Sequence, residues 1–486
     1  MPTDRNRRPF PRFNLNNKQP PINRIEPEHL LEDAQESRLS QPARDAHFFD
    51  QDAPENLDVN DEPVEEDFRV AQPARDAHFF DQDAPENLDV NDEPVEEDRP
   101  RLLPRQDFSA PSASRNSVKW TIFDLGADEI ALLKLRDREF KAQMIEPTTD
   151  KFGRRTWFWS QSSASKVYGL LCPKIVGACE DAPPIFISPT SQETAPIIVG
   201  VLDGMGGAGA GQVEFATKKI SITTTEALLA SRIVRHQILK AFTNDKSPTS
   251  ADLKTEIRER LTETEASLKI NEKTRIRGTM TMRLPTTLVL SQVSRGSNLD
   301  TEIIKTWWAG DSRAFLITPT DGLSALTRDH VRVSDQLEQL QSDPPIENVV
   351  NISKDFHLDE FSTTVNSPFI LLLATDGVFG YLPTPGFLEL GLLEAISASG
   401  SKFAEKFADF CTSYAADDVS AVIVVRGFKD EVDLKTQFAP RLAKLREMYS
   451  PLLAMVSGND DLKLEVEKLW EIERHPYNRL SETMHD

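Results

Sequence analysis

The chain has few cysteines and no long apolar segment, and these shortages narrow the class of protein that it can be. Its three cysteines, Cys172, Cys179 and Cys411, have neither a metal-binding spacing nor the even number of a disulfide set. We therefore expect free, buried thiols and a reducing compartment. No apolar run approaches the ~18 residues of a membrane-spanning helix, and the first residues lack the apolar core of a secretory signal. We expect a soluble, cytoplasmic protein without a membrane partner.

Basic residues are in the minority, and most of the excess negative charge lies in one duplicated segment. The net charge of −22 argues against nucleic acid as a partner. Residues 41–67 recur without a change at 72–98, and each copy carries ten acidic residues and one arginine, a net charge of −9. The rest of the chain carries only −4. The acidity therefore belongs to a tail.

Residues 1–116 are rich in Pro, Asp, Glu, Asn and Gln and show no sustained helical or strand period. Such a segment cannot bury a core, so we expect a disordered acidic tail. The duplication leaves two alternatives open, since two copies are too few for a solenoid. It has no function, or it doubles a linear motif that raises avidity for a basic protein partner. The apolar anchors of that motif would be His47, Phe48, Phe49, His78, Phe79 and Phe80.

The pattern becomes globular after the tail, and we predict a domain over 117–428 followed by a helical extension over 429–486, divided by Pro451 and by Gly458-Asn459. Strand-like runs lie at 197–202, 286–293, 302–309, 313–318, 369–374 and 419–425. Helices are predicted at 212–242, 250–272, 386–398 and 402–415, with Ser250 as the cap of the second. The runs around Gly310 predict a hairpin whose turn carries Asp311. These elements favour a layered α+β domain with much antiparallel pairing.

Five segments run an apolar strand into an aspartate or an acidic pair, and carboxylates at strand ends can converge on one cation. They are Glu180-Asp181, Asp203-Gly204, Asp311, Asp376-Gly377 and Asp417-Asp418. Mg²⁺ and Mn²⁺ prefer oxygen ligands, so a site rich in aspartate and poor in histidine suits them. Two such ions ~3.5–4 Å apart can activate a water for an in-line phosphoryl displacement. The pattern predicts phosphate ester hydrolysis.

Six segments in order resemble the type 2C metal-dependent Ser/Thr protein phosphatases and cover about 175–426. They are CEDAPPIF at 179–186, VGVLDGMGG at 199–207, PTTLVLSQV at 285–293, WAGDSRAFLI with LTRDH within 308–330, LLLATDGVFGYL at 371–382 and ADDVSAVIVV at 416–425. The resemblance implies a four-layer sandwich, in which two antiparallel sheets are flanked by helices. It also implies hydrolysis of phosphoserine and phosphothreonine in a phosphoprotein substrate.

The resemblance further implies a cofactor of two Mg²⁺ or Mn²⁺ ions, with a weaker third ion as in many members. Asp203 would bridge both metals, and the Gly204 carbonyl would bind one of them. Asp376 and Asp417 would complete the shell of the other. Glu180 and Asp181 would act through coordinated waters, and Asp311 would hold the third ion.

Two departures from the family pattern concern substrate chemistry. Met205 stands where many eukaryotic members have a histidine general acid, as in the bacterial-type variant of the motif. The phosphate-binding arginine of the family has no counterpart, and Lys174 is the only basic residue between Gly169 and Glu180. Lys174 is therefore the candidate phosphate-binding residue.

Two functions remain open, an active phosphatase and a pseudophosphatase that keeps the fold as a binding or scaffold module. All the direct metal-ligand positions are present, which favours the enzyme. A nucleotide cyclase or another two-metal enzyme would need a base-binding element, and the sequence contains none that is recognisable.

Overall fold

Seventeen strands and eight α-helices make up the described part of the chain. A computed structural model describes residues 119–124, 142–162, 164–190, 195–216, 221–244, 248–270, 282–298, 300–333, 335–341, 344–398, 402–455 and 460–485. The predicted tail, with both copies of the duplication, lies outside these residues. Among them, no helix is long and apolar enough to cross a membrane.

The strands form two sheets of seven and a small third sheet. Their bounds are β1 Trp120–Phe123, β2 Ala142–Ile145, β3 Thr148–Thr149, β4 Arg155–Ser162, β5 Ser165–Cys172, β6 Ile185–Pro189, β7 Ile197–Val201, β8 Gln212–Ala216, β9 Ser221–Thr225, β10 Lys269–Ile270, β11 Leu288–Arg295, β12 Thr301–Ala309, β13 Arg313–Thr318, β14 Gly322–Ala325, β15 Asp359–Asn366, β16 Phe369–Ala374 and β17 Val419–Arg426. The first sheet has the order β15-β12-β11-β7-β6-β1-β2, and the second has β14-β13-β16-β17-β5-β4-β3. All pairs in these two sheets are antiparallel except β1 with β2.

The helices cover the outer faces of both sheets. Their bounds are α1 Glu226–Thr243, α2 Ser250–Ser267, α3 Gln336–Gln341, α4 Asp376–Phe379, α5 Pro385–Ala398, α6 Phe403–Tyr414, α7 Glu431–Ala454 and α8 Asp460–Asn478, followed by a 3₁₀ turn, Ser481–His485. One apolar cluster joins α1 and α2 to the first sheet, a second fills the space between the sheets, and a third joins α4 to α8 with the second sheet. This order of layers confirms the predicted sandwich of two sheets flanked by helices.

Burial on both faces explains why the central strands read as continuous apolar runs. Every residue of β16 (FILLLA) and of β17 (SAVIVV with its flanks) is buried. A strand covered by helices on one face and by a second sheet on the other has no polar side, so its sequence does not alternate. The three cysteines are free and buried, as predicted.

The predicted hairpin around Gly310 is wrong. β12 pairs with β11 and β15 in the first sheet, whereas β13 pairs with β14 and β16 in the second. Gly310 has φ +105°, a conformation that favours glycine, and the chain crosses there from one sheet to the other. The short link between two apolar runs therefore looks like a hairpin but places the runs in opposite layers.

Two helix predictions also need correction. Residues 212–216 and 221–225, expected to begin a helix, form the β8–β9 pair of the small sheet, and the β-branched residues at 222–225 fit that state. The cap of α2 is Thr249 rather than Ser250, because the Thr249 side chain accepts from the Asp252 N–H and the Asp252 carboxylate accepts from the Thr249 N–H.

Pro451 does not divide the extension, since α7 continues to Ala454. Gly458 and Asn459 lie outside the described residues.

A buried polar network joins the C-terminal extension to α5. Tyr449 on α7 hydrogen-bonds to Thr384 and to Glu473 on α8, and the Gly386 N–H donates to Glu473 at 3.1 Å. Arg441 of α7 pairs with the buried Glu389 of α5 at 2.7 Å. Burial raises the pKa of Glu473 to about 7 from an ordinary value of 4.5. The extension is therefore bound through a carboxyl group that holds its proton near neutral pH.

Glu473→Gln is expected to remove a pH dependence of stability. Because the folded protein holds this proton more tightly than the unfolded chain, the free energy of unfolding should fall by about 3 kcal/mol between pH 4.5 and pH 7.5. The Glu473→Gln variant cannot ionise there and should lack this part of the slope. Chemical denaturation of metal-free protein at several pH values measures it, with the exposed Glu471→Gln as control. Parallel curves for wild type and Glu473→Gln would contradict the assignment.

Candidate metal centre

The predicted carboxylates come together at one end of the sandwich. Asp203 follows β7 of the first sheet by two residues, Asp376 follows β16 of the second sheet by two, and Asp417 precedes β17 by two. Because Ala374 pairs with Ala421, the end of β16 and the beginning of β17 lie side by side. β5 ends at this same edge, since Cys172 pairs with Val419, and the chain then runs to Glu180. Both sheets therefore contribute to one cluster.

Asp181 and Asp203 lie at the centre of the cluster. Their carboxyl groups are hydrogen-bonded to each other. The Thr375 hydroxyl lies 2.9 Å from Asp181 Oδ2, and Asp181 is only 1% exposed. The main chain of Asp203 is held by two threonines, because its carbonyl accepts from the Thr286 hydroxyl at 2.7 Å and from the Thr287 N–H at 2.9 Å. The threonine pair in the sequence therefore fixes the backbone that carries Asp203.

Glycines follow two of the aspartates because the backbone of another segment lies against them. A Cβ added to Gly204 would lie 2.6 Å from the Glu180 carbonyl oxygen, and one added to Gly377 would lie 1.8 Å from that of Asp418. Neither contact is tolerated by a real side chain, and the neighbours are main-chain atoms that cannot move aside. The Asp-Gly pairs thus let four separate segments approach in two close pairs at the site.

Glu180 is held by the beginning of α1. Its carboxylate accepts from the Thr225 hydroxyl at 2.6 Å, and its carbonyl accepts from the Ser231 hydroxyl and from Arg232, each at 2.7 Å. Thr225 is also the N-cap of α1. These supports could not be predicted from the sequence, because α1 lies about 50 positions away along the chain.

Asp418 orients the loop that leads to Glu180. Its two carboxylate oxygens accept from the N–H groups of Lys174 and Glu180, each at 2.7 Å. The neighbouring Asp417 is exposed, and its Oδ1 accepts from the Asp418 N–H at 2.9 Å. Asp418 therefore has a structural role beside a candidate ligand.

Asp311 follows the crossing between the sheets. The Gly310 N–H donates to His330 Nδ1 at 3.1 Å, and the His330 N–H donates to the Gly310 carbonyl at 3.0 Å. Asp311 Oδ1 is buried, and no group in the described part of the chain hydrogen-bonds to it. An unpaired buried carboxylate oxygen is costly, and a bound cation would satisfy it.

Electrostatics show that the cluster is short of positive charge. Burial, and then neighbouring carboxylates, raise the pKa of Asp181, Asp203 and Asp311 well above the ordinary value, and Asp376 contributes to all three shifts. Burial also raises the pKa of Glu180. These four acidic groups oppose one another's ionisation, and every ligand atom that they offer is an oxygen. Such a cluster fits a hard divalent cation. The predicted ligands Asp203, Gly204, Asp376 and Asp417 and the predicted outer residues Glu180, Asp181 and Asp311 therefore fit such an ion.

A second group of possible ligands lies close to this site but does not suit a metal. His330 Nε2 lies 3.0 Å and His357 Nε2 lies 3.4 Å from the Asp359 carboxylate. His330 Nδ1 accepts from Gly310 and from the Asn348 amide, each at 3.1 Å, so the proton of the neutral ring is on Nε2. A metal at Nε2 would need the opposite tautomer. His330 instead orders the Gly310 turn beside Asp311, a role that the sequence did not indicate.

The side chain of Lys174, the predicted phosphate-binding residue, is exposed. Among the described residues, it makes no ion pair. Its main chain is held at the site through Asp418, so the loop position is fixed while the ammonium group is not.

The two sheets, their helical layers and the acidic cluster at one end define a type 2C phosphatase-like fold. No protein-family model matches the chain, and no curated protein matches it. Solved structures similar to the chain include the serine/threonine phosphatase Stp1 from Staphylococcus aureus, at 15% identity and a TM-score of 0.37 over 57% of this chain and 96% of that one. The Mycobacterium tuberculosis serine/threonine phosphatase PstP/Ppp has 15% identity and a TM-score of 0.36, over 54% of this chain and 99% of that one. The PstP catalytic domain in complex with 2 manganese ions has 15% identity and a TM-score of 0.34, over 54% of this chain and 98% of that one. At such low identity and TM-score, no residue role is transferred from these structures, and the roles are argued from the geometry of this chain alone.

Proposed function

We propose that the protein is a metal-dependent phosphatase that hydrolyses phosphoserine and phosphothreonine in a protein substrate. The observation that carries this proposal is the convergence of Asp181, Asp203 and Asp311 on Asp376, with the pKa of the first three raised by burial and by the neighbouring carboxylates. Such a cluster is costly in a protein that binds no cation. An enzyme acting on a phosphate dianion gains from a concentrated positive charge, which the cluster can bind and present to the substrate.

In this proposal, Asp203, the Gly204 carbonyl, Asp376 and Asp417 bind the ions directly. Glu180 and Asp181 act through waters, and Asp311 serves a third ion. Two bound Mg²⁺ or Mn²⁺ ions would supply the charge that stabilises the phosphoryl oxygens and the activation of the attacking water.

Other groups of the chain would position the substrate. Thr286, Thr287 and Thr375 keep the aspartates in place by hydrogen bonds to backbone and carboxylate. Lys174 is the proposed cation for the phosphate. Met205 offers no proton to the leaving oxygen, so the serine or threonine alkoxide must take its proton from water.

Further proposals concern the cellular compartment of the protein and the partner of its acidic tail. We place it in the cytoplasm, with the acidic tail binding a basic protein. The alternative function is a pseudophosphatase, in which the same cluster stabilises a binding module without turnover.

One experiment separates these functions. Wild-type protein is treated with a chelator and titrated with Mn²⁺ by calorimetry, and hydrolysis of a phosphothreonine peptide and of p-nitrophenyl phosphate is measured in parallel. We expect Mn²⁺ binding and turnover of both substrates, each lost again when the chelator is returned. Binding without turnover would establish the pseudophosphatase. Absence of Mn²⁺ and Mg²⁺ binding would overturn the metal centre.

A further inference from the structure

The loop that leads from β5 to Glu180 carries two exposed apolar side chains. Ile175 is 62% and Val176 is 70% exposed. The loop is nevertheless fixed, because Asp418 accepts hydrogen bonds from Lys174 at its beginning and from Glu180 at its end. The Ala178 N–H also donates to the Ile175 carbonyl at 3.0 Å. Two apolar side chains are thus held in solvent within five positions of a candidate metal-site residue.

A second turn extends this apolar surface. Phe152 is 57% exposed, and its turn is closed by Asp150, which accepts from the N–H groups of Phe152 and Arg154. The next residue, Gly153, lies against the loop, since a Cβ placed on it would be 3.2 Å from Val176 and 3.8 Å from Pro173. We call Phe152, Ile175 and Val176 the apolar patch.

Positive charge surrounds the apolar patch. Lys151 Nζ lies 4.9 Å from the centre of the Phe152 ring, and Lys174 precedes Ile175. Arg154 is balanced by Asp150 and Asp409. Lys151, Lys174 and Arg155 make no ion pair within the described ranges. They form a cationic rim outside a strongly acidic cluster.

Arg155 connects the rim to the metal centre through the second sheet. It pairs with Leu171, Leu171 pairs with Ser420, and the Thr375 N–H donates to the Ser420 carbonyl. This row of neighbours ends one residue before Asp376. Paired residues point to the same face of a sheet, so Arg155 shares the face of Thr375, which contacts Asp181. Arg155 therefore lies in the same sheet as the strands that carry Asp376 and Asp417, and the loop that carries Ile175 and Val176 ends at Glu180.

We infer that the apolar patch binds the substrate segment beside the phosphorylated residue, and that it selects an apolar side chain followed by acidic residues. This inference rests on the proposed phosphatase function. Lys151, Arg155 and Lys174 would attract the acidic residues of such a segment. The apolar side chain would remove Ile175 and Val176 from water. Charge then guides the approach, and apolar contact adds affinity.

The test compares peptides and variants in the full chain. The phosphothreonine peptides carry Leu or Ala next to the phosphothreonine on both sides, and Glu or Lys at the positions outside these. p-Nitrophenyl phosphate has no peptide segment, so its hydrolysis reports on the metal centre alone. Wild type should prefer the Leu–Glu peptide over the Ala–Lys peptide by about 10-fold in kcat/KM, equivalent to about 1.4 kcal/mol. The double variant Ile175→Ser with Val176→Ser should lose the Leu preference and keep the rate on p-nitrophenyl phosphate.

A matched control is available on α8, where Leu464 and Ile472 are 52% and 60% exposed. The double variant Leu464→Ser with Ile472→Ser should retain the full preference. An unchanged preference in the Ile175 and Val176 variant, or an equal loss in the control, would overturn the inference. A concentration-dependent dimer that this variant abolishes, with the preference kept, would assign the patch to a second copy instead and also overturn it.

Failure of the proposed function would be visible separately. If wild type hydrolyses neither peptide nor p-nitrophenyl phosphate, binding of the same peptides, made with a non-hydrolysable phosphonate and a fluorophore, is measured by anisotropy. A preference for the Leu–Glu peptide that depends on Ile175 and Val176 would support the docking surface even though the protein is not an active phosphatase. No preference would overturn the docking surface.

Discussion

Asp203→Asn is expected to abolish phosphoester hydrolysis and, at the same time, to raise the melting temperature of metal-free protein. Asp203 lies between the carboxylates of Asp181, Asp311 and Asp376, and its burial raises its pKa well above the ordinary range. Asparagine keeps the shape but cannot ionise, so the metal-free fold loses a carboxyl group whose ionisation burial and the neighbouring carboxylates oppose, and it should gain stability. Under the proposed function Asp203 binds the metal ions, so its replacement should lower kcat by at least about 10²–10³-fold, the range seen when one charge-stabilising group is removed.

Calorimetric Mn²⁺ titration, turnover of p-nitrophenyl phosphate and thermal unfolding measure the three parts of this prediction. The exposed Asp300→Asn serves as control and should change none of them. A variant with normal turnover would refute the role of Asp203, and one with a lowered metal-free melting temperature would refute the proposed repulsion.

The second large effect is expected at Asp418. Asp418→Ala removes the acceptor for two main-chain N–H groups, those of Lys174 and Glu180. Hydrogen bonds to a charged group contribute about 1.5–3 kcal/mol each. Relief of repulsion with Asp181 offsets part of this loss, so the free energy of unfolding should fall by about 3 kcal/mol. Turnover should fall as well, because Glu180 loses its position.

Asp418→Asn provides the graded comparison. Its amide keeps one acceptor and turns an N–H₂ group toward the second donor, so its stability should lie between that of wild type and Asp418→Ala. Denaturant unfolding and kcat of all three proteins, beside Asp300→Ala, give the series. If alanine proved no worse than asparagine, the two hydrogen bonds would not be what fixes the loop.

The sequence located the candidate ligands because each follows or precedes a buried apolar strand. Strand ends are visible as a change from apolar to acidic residues, and this is why Asp203, Asp376 and Asp417 could be grouped before the fold was known. The same local signal failed at Gly310, since two apolar runs joined by a short link look alike whether they pair or separate into different sheets. It failed again at 212–225, where the polar residues Thr217, Lys218 and Lys219 stand between two short strand sequences and resemble part of a long helix.

The supporting contacts of the site could not be predicted in this way. Arg232, Thr225 and Ser231 reach Glu180 across about 50 positions, and Asp418 reaches it across 238. His330 acts on Gly310 through a tautomer that is set by Asn348. Such roles depend on partners that the fold alone brings together, and no spacing along the chain marks them.

The origin of the candidate ligands in both sheets has a mechanical consequence. Asp203 belongs to the first sheet, whereas Asp376 and Asp417 belong to the second, so repulsion among them acts to separate the two layers at this end. A cation between them would reverse the sign of that force and join the layers. Ion occupancy and cohesion of the sandwich are then one equilibrium, in which an ion at 100 times its Kd adds about 2.7 kcal/mol to the free energy of unfolding. A protease that cleaves transiently opened chains should therefore cut the loops around 173–180 and 202–211 more slowly when the ion is bound.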